Sequence, residues 1–193
     1  DAHRPGMTVG EGAAMLVLET LDHARRRGAP ILACIQGFGV TCDAYHLTAP
    51  EPTGAQAIRA MRDALARAGL QPADIGYVNA HGTGTRENDA MEAAALHAVF
   101  GDSTPLPLVS STKRCTGHTF GAAGAVEAVV CVQALRENLV PPNAGSVAGD
   151  ADPAMPLPVA RGAAVQRPLH AVMSTNFAFG GNNTALVFTR ETP

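Results

Sequence analysis

Residues 113–124 have the sequence Lys-Arg-Cys-Thr-Gly-His-Thr-Phe-Gly-Ala-Ala-Gly, which merges into an apolar run over residues 122–135. The run predicts a buried helix, and the polar stretch predicts the turn that leads into its N-terminus. The helix dipole makes that end positive, and the small residues allow a substrate or another segment to approach the backbone closely. Lys113 and His118 are therefore candidate catalytic residues.

Two more Gly-rich polar turns have the same character. Residues 79–85 are Asn-Ala-His-Gly-Thr-Gly-Thr, and residues 176–183 are Asn-Phe-Ala-Phe-Gly-Gly-Asn-Asn. Each turn follows an apolar strand-like run or precedes a helix. We predict that the three turns together form the rim of one site.

Composition excludes several classes of protein. The chain has 193 residues, of which 46% are hydrophobic and 16% are charged, and this fits one globular domain. The net charge of −3 and the lack of a basic block argue against nucleic-acid binding. No apolar stretch reaches transmembrane length, so no membrane contact is expected. Four scattered cysteines have neither disulfide nor zinc spacing, so we expect no metal site and a cytoplasmic chain with free thiols.

Periodicity predicts strands that alternate with helices. The predicted strands cover residues 13–18, 31–40, 75–78, 108–109, 171–175 and 184–189, and residues 13–18 are expected to be buried on both faces. The predicted helices cover residues 19–28, 53–68, 87–100 and 122–138, with Thr53 as an N-cap and Pro141 and Pro142 as a stop. Residues 143–168 form a long connection. The pattern predicts a layered α/β fold with a mainly parallel sheet and a site at the strand C-termini.

Several ordered motifs resemble those of the β-ketoacyl synthases, the condensing enzymes of fatty-acid and polyketide synthesis, which have a thiolase fold. The motifs are the three turns above together with residues 10–13, 43–46, 88–89 and 111–113. The resemblance implies the C-terminal half of a thiolase-like fold over residues 1–193, with a layered α-β-α arrangement and a mainly parallel mixed sheet. It also implies that the N-terminal half, which carries the nucleophilic cysteine in this family, is absent from this chain. An isolated half of such a fold is not expected to be stable.

The resemblance also implies a reaction, a decarboxylative Claisen condensation. His81 and His118 correspond to the family's two enolate-stabilising histidines, Lys113 to its active-site lysine, and Glu127 to the partner of that lysine. The plainer alternatives are histidines that satisfy buried backbone groups and a lysine on the solvated surface.

Further roles follow from the same resemblance. Thr83 and Thr85 correspond to residues that bind the phosphopantetheine arm of a carrier protein, and Phe179 corresponds to the gating phenylalanine, whose N–H completes the oxyanion hole. Asp89 and Glu92 correspond to residues that brace the active-site turns. The alternatives are ordinary turn capping, a core aromatic and a solvated acidic face.

The expected partners are the N-terminal half, an acyl carrier protein and a second ketosynthase subunit in a homo- or heterodimer. No cofactor is expected, since the 4′-phosphopantetheine arrives on the carrier protein. A second hypothesis is a non-catalytic partner subunit that resembles a chain-length factor. A thiolase acting on acyl-CoA is disfavoured, because no cysteine lies near Phe179 in the last turn.

Overall fold

The structure is a computed structural model, and it describes residues 1–191. Five helices form in the described chain, namely α1 (Leu21–Arg26), α2 (Ala55–Ala68), α3 (Arg86–Phe100), α4 (Lys113–Thr116) and α5 (Ala123–Glu137). Its strands are β1 (Cys34–Cys42), β2 (Ile75–Asn79), β3 (Leu108–Ser110), β4 (Leu139–Val140), β5 (Val165–Gln166), β6 (Ala171–Phe177) and β7 (Asn182–Thr189). Short 3₁₀ turns cover Pro72–Asp74, Phe120–Ala122, Ala148–Asp150 and Phe179–Gly181.

The main sheet has five strands in the order β1-β7-β6-β2-β3. Strand β2 pairs in parallel with both β3 and β6, whereas β7 pairs antiparallel with β1 and β6. Two of the four strand pairs in this sheet are parallel and two are antiparallel. The mixed sheet is therefore less parallel than the sequence predicted. Strands β6 and β7 are joined by the tight turn at residues 178–181, which makes an antiparallel pair. Such a connection leaves no room for the crossover that a parallel pair requires.

Helices cover both faces of the sheet. Helices α2 and α3 pack on one face around Met61, Met91 and Val187, and α5 packs on the other around Leu135 and Phe188. The buried residues of β2 follow the two-residue period of a strand, because Tyr77 and Val78 point to opposite faces of the sheet. The predicted α/β layering is thus confirmed.

Two glycines on β1 let α2 lie directly against the sheet. A Cβ atom at Gly39 would lie 1.9 Å from the carbonyl oxygen of Ala60, and one at Gly37 would lie 2.2 Å from that of Ala64. These distances are too short for any Cβ atom, so neither position can hold a residue with a side chain. The glycine-containing strand predicted over residues 31–40 therefore has its glycines because a helix backbone occupies the space of their side chains.

One predicted strand is wrong. Residues 13–18 pair with no strand of the described chain, and Met15, Val17 and Leu18 are 96%, 85% and 70% exposed. The residues are of the right type for a buried strand, but a strand needs a neighbouring strand to satisfy its backbone groups. The described part of the chain offers none at that position.

The residues that cap two of the helices differ from the predicted ones. Thr53 does not cap α2. Instead, Gly54 occupies the cap position, and the Glu51 carboxylate accepts hydrogen bonds from the N–H groups of Thr53 and Ala55 at 3.0 and 3.3 Å. Helix α5 ends at Glu137, close to its predicted end, but its C-cap is Asn138 in a left-handed conformation with φ 53° and not the predicted proline stop. Helix α5 is also buried on one face only, since Val129 is exposed.

Candidate active site

A cavity of about 560 Å³ opens at the C-terminal ends of β2 and β6. Five residues predicted to act in the site line it, namely His81, Thr83, Thr85, His118 and Phe179. They come from all three Gly-rich turns. The structure therefore brings the three turns together as the sequence predicted.

The two histidine rings lie next to each other. Their centroids are 5.3 Å apart and their planes meet at 84°. His81 follows β2 and is 5% exposed, while His118 follows α4 and is half-buried. The rings are close enough for both to reach one ligand atom in the cavity.

Neighbouring donors set the tautomer of each ring. The Lys113 Nζ donates to His81 Nδ1 at 3.4 Å, and the Phe120 backbone N–H donates to His118 Nδ1 at 3.1 Å. A neutral imidazole that accepts at Nδ1 carries its proton on Nε2. Each histidine is therefore left with one Nε2–H donor.

Both imidazoles are held uncharged at neutral pH. Burial lowers the pKa of His81 to about 2, and the positive charge of Lys113 acts in the same direction. Burial also lowers the pKa of His118, again with help from Lys113. Desolvation disfavours the charged imidazolium, and a nearby cation disfavours it further. The site thus presents two neutral hydrogen-bond donors.

Lys113 lies behind His81 and does not line this cavity. Its side chain is 6% exposed and forms an ion pair with Glu127, whose side chain is 2% exposed. Burial raises the pKa of Glu127, and the lysine charge opposes that rise. The alternative of a solvated surface lysine is therefore excluded by position. The lysine also contacts His81 directly.

Two carboxylates of α3 accept hydrogen bonds from the backbone of the turn at residues 79–85. Glu92 accepts from the N–H groups of His81 and Gly82 at 2.7 and 2.8 Å, and Asp89 accepts from the N–H of Gly84 at 3.1 Å. Burial raises the pKa of Glu92 to about 7. Both side chains are turned toward the site, so the alternative of a solvated acidic face does not describe them.

The cavity rim carries the remaining candidates. The hydroxyl oxygens of Thr83 and Thr85 lie 2.9 Å apart and share a hydrogen bond. Phe179 is 58% exposed, so it is no core aromatic. Its turn is held by the Gly180 N–H, which donates to the Leu47 carbonyl at 2.7 Å, and by the Gly181 carbonyl, which accepts from the Asp43 N–H at 2.8 Å.

Two cavity residues were missed as site residues by the sequence analysis. Phe120 stacks on His118, and Asn176 lines the cavity, where its amide raises the pKa of His81 and lowers that of Glu127. Both belong to the quoted turns, so their position in the sequence was visible. Their role was not, because it depends on which ring or carboxylate the fold places beside them.

The described residues offer no cysteine to this cavity. Cys115 is exposed and Cys131 is buried under the sheet. Over residues 1–191, no group of three or more His, Cys, Asp and Glu side chains is arranged to hold a metal ion. None of the described helices combines the length and the apolar character needed to cross a membrane.

Comparison with known proteins identifies the family. The family model described as "Beta-ketoacyl synthase, C-terminal domain" matches residues 32–146, so the chain belongs to the β-ketoacyl synthase family. The chain is 46% identical to nodulation protein E of Rhizobium meliloti over 187 residues, which are 97% of this chain and 46% of that protein. It is 44% identical to 3-oxoacyl-[acyl-carrier-protein] synthase 2 of Rhizobium meliloti (strain 1021), over all of this chain and 45% of that protein.

A solved structure confirms the fold. The structure of "The ishigamide ketosynthase/chain length factor" matches with a TM-score of 0.93 and 39% identity, over 100% of this chain and 46% of that one. The thiolase-like ketosynthase fold predicted from the motifs is thereby confirmed. The chain spans about half the length of the relatives that it matches.

Proposed function

We propose that this chain supplies the enolate-stabilising half of an enzyme that condenses a malonyl-carrier-protein thioester with an enzyme-bound acyl group, in fatty-acid or polyketide synthesis. One observation carries the proposal. The ring centroids of His81 and His118 lie 5.3 Å apart at one cavity and Nδ1 of each ring is occupied by another donor, while burial lowers the pKa of both. The similar Rhizobium meliloti protein is named 3-oxoacyl-[acyl-carrier-protein] synthase 2, and this name supports the same conclusion.

Decarboxylation is the step that this geometry serves. The bond between the malonyl α-carbon and its carboxylate breaks, carbon dioxide leaves, and the electron pair becomes the enolate. Negative charge then develops on the thioester oxygen. The Nε2–H groups of His81 and His118 donate to that oxygen, and the loss of one such donor costs roughly 10²- to 10³-fold in rate. Neutral donors stabilise the charge without giving up a proton.

Condensation completes the reaction. The enolate carbon attacks the carbonyl carbon of the acyl thioester, the cysteine thiolate leaves, and the β-ketoacyl product stays on the carrier. We assign the cysteine to the N-terminal half of the complete protein. The N–H of Phe179, together with that of the cysteine, stabilises the oxyanion of the tetrahedral intermediate.

The carrier protein delivers the malonyl group on its phosphopantetheine arm, so the enzyme needs no further cofactor. Thr83 and Thr85 line the cavity with hydroxyl groups that are suited to hydrogen bonds with the amides of that arm. The proposed partners are therefore the N-terminal half, an acyl carrier protein and a second ketosynthase subunit.

The test is His118→Ala in the complete protein. We expect decarboxylation of malonyl-carrier protein to fall by about 10²-fold or more, because one of the two oxyanion donors is lost. Acyl loading on the cysteine should continue, since His118 takes no part in that step. Release of carbon dioxide and mass spectrometry of the acyl-enzyme measure the two steps separately.

His97→Ala provides the matched control, because His97 is exposed near the end of α3 and does not line the cavity. We expect it to leave both steps unchanged. Normal decarboxylation by the His118→Ala protein would refute the role assigned to His118.

A non-catalytic partner resembling a chain-length factor is the second candidate, and the similar ishigamide structure is named for a ketosynthase and a chain length factor together. Such a subunit has no need of a neutral histidine pair backed by a buried lysine. The arrangement of His81, His118 and Lys113 therefore favours the enzyme. The residue at the nucleophile position of the N-terminal half decides between the two, because only a cysteine there permits acyl transfer.

A further inference from the structure

The ring of Phe120 covers one face of His118. The two ring centroids are 4.8 Å apart and the planes differ by 14°, so the rings are stacked. The ring of His81 meets His118 at 84° from another side. The plane of His118 is thus defined by two neighbours, and Phe120 lies parallel to it.

The backbone of Phe120 holds the same imidazole. Its N–H donates to His118 Nδ1 at 3.1 Å, and its φ is 48°, in the left-handed region that residues with a side chain rarely occupy. Such a conformation persists where its surroundings impose it, and it is often found at functional sites. One residue therefore contacts His118 through both its ring and its N–H.

Core packing does not explain the ring of Phe120. The side chain is 46% exposed and lines the cavity. Helix α5 begins directly after the turn at Phe120–Ala122, so the position of this ring is tied to a long, well-packed element.

We propose that Phe120 is a positioning residue for His118. Its ring fixes the plane of the imidazole and shields one face from water, while its N–H keeps Nδ1 occupied and Nε2–H available to the cavity. This inference rests on the proposed function, in which His118 donates to the enolate oxygen.

The test is Phe120→Leu in the complete protein, since leucine keeps an apolar side chain and the backbone N–H but removes the flat ring. We expect malonyl decarboxylation to fall by about tenfold or more, because small displacements of a catalytic group are costly. Acyl loading should be unaffected. Phe120→Tyr keeps the ring and should therefore retain most of the wild-type rate of decarboxylation.

The chain offers a matched control. Phe38 on β1 is 45% exposed, close to the value for Phe120, and it lies outside the cavity with the Arg67 guanidinium over its ring. Phe38→Leu should leave decarboxylation unchanged. Equal rates for the wild type and Phe120→Leu would overturn the proposal.

A second readout does not depend on activity. Histidine labelled with ¹³C gives the pKa of His118 by NMR titration of the complete protein, with His118→Gln used for assignment. We expect Phe120→Leu to raise that pKa toward the ordinary value, because burial is the main cause that lowers it. An unchanged titration would count against the positioning role. If the wild type itself does not decarboxylate malonyl-carrier protein, the proposed function fails while this titration still decides the role of Phe120.

Discussion

At the residue scale, the ion pair between Lys113 and Glu127 links the stability of the fold to the orientation of His81. Both side chains are almost closed to solvent, and the lysine also donates to His81. A buried pair of charges contributes little net stability, because desolvation offsets the attraction. Breaking such a pair is costly, since the remaining charge stays buried without a partner. We infer that the role of the pair is to fix the tautomer of His81.

The burial of this pair predicts the behaviour of two variants of the complete protein. Glu127→Gln leaves the Lys113 ammonium without its counter-charge and should lower the free energy of unfolding by about 3–5 kcal/mol. Replacing both partners, with Lys113→Met and Glu127→Leu, should recover much of that loss. Decarboxylation should stay impaired in the double variant, because no donor then fixes His81 Nδ1. Denaturant midpoints and carbon dioxide release are the two measurements.

Arg114→Met is the matched control for the lysine, because Arg114 is the neighbouring basic residue and its side chain is exposed. We expect the stability and the activity of that variant to match the wild type. Full activity in the double variant would show that Lys113 has no part in orienting His81.

At the element scale, helix α3 holds the turn at residues 79–85 through the buried carboxylate of Glu92. Glu92 accepts hydrogen bonds from two consecutive N–H groups and from the Thr175 hydroxyl at 3.1 Å. Burial nevertheless raises the pKa of Glu92 from 4.5 to about 7, since the bonds only partly offset the desolvation of the charge. The brace is therefore sensitive to pH in the physiological range.

The sign of this effect follows from proton linkage. Between pH 4.5 and 7 the folded state binds more protons at Glu92 than the unfolded state does, so this residue makes stability fall as the pH rises. Glu92→Gln removes that dependence. We expect the stability of the wild type relative to this variant to decline by up to about 1.4 kcal/mol per pH unit across the window. Denaturant unfolding of the complete protein at pH 5, 6, 7 and 8 measures it.

The same substitution at the exposed Glu137, at the end of α5, is the control, and its stability curve should follow that of the wild type. Parallel curves for Glu92→Gln and the wild type would mean that Glu92 titrates no differently in the folded and unfolded states.

Local patterns in the sequence predicted most elements, because the apolar residues of α2 and α3 and the turn glycines report local structure. The antiparallel pairing of β1 with β7 was not predicted, since its partners lie far apart in the chain, from Cys34↔Thr189 to Cys42↔Asn182. Nor was the cap formed by Glu51, which acts through a side chain outside the helix. The histidine pair was identified through its motifs, whereas the stack of Phe120 on His118 required coordinates.

At the scale of the whole molecule, apolar side chains remain uncovered along one side. Met15, Val17 and Leu18 are exposed, and they border a groove of about 450 Å³ together with Leu32 and Val129. Monomeric proteins rarely expose a continuous apolar patch of large size. The chain also spans about half the length of its relatives. We therefore expect this side to be covered in the complete protein.

The uncovered side predicts how these 193 residues behave when they are produced alone. With an apolar face open to water and a segment around Met15 without a strand partner, the isolated chain should lack cooperative unfolding and bind hydrophobic dyes, or it should aggregate. Circular dichroism in the near and far ultraviolet during a thermal scan measures cooperativity, and the complete protein serves as the reference. A single sharp transition in the isolated chain, with intact near-ultraviolet signal, would show that the two core clusters on the faces of its sheet are sufficient for a stable fold. The exposed residues around Met15 would then need another explanation than a missing half.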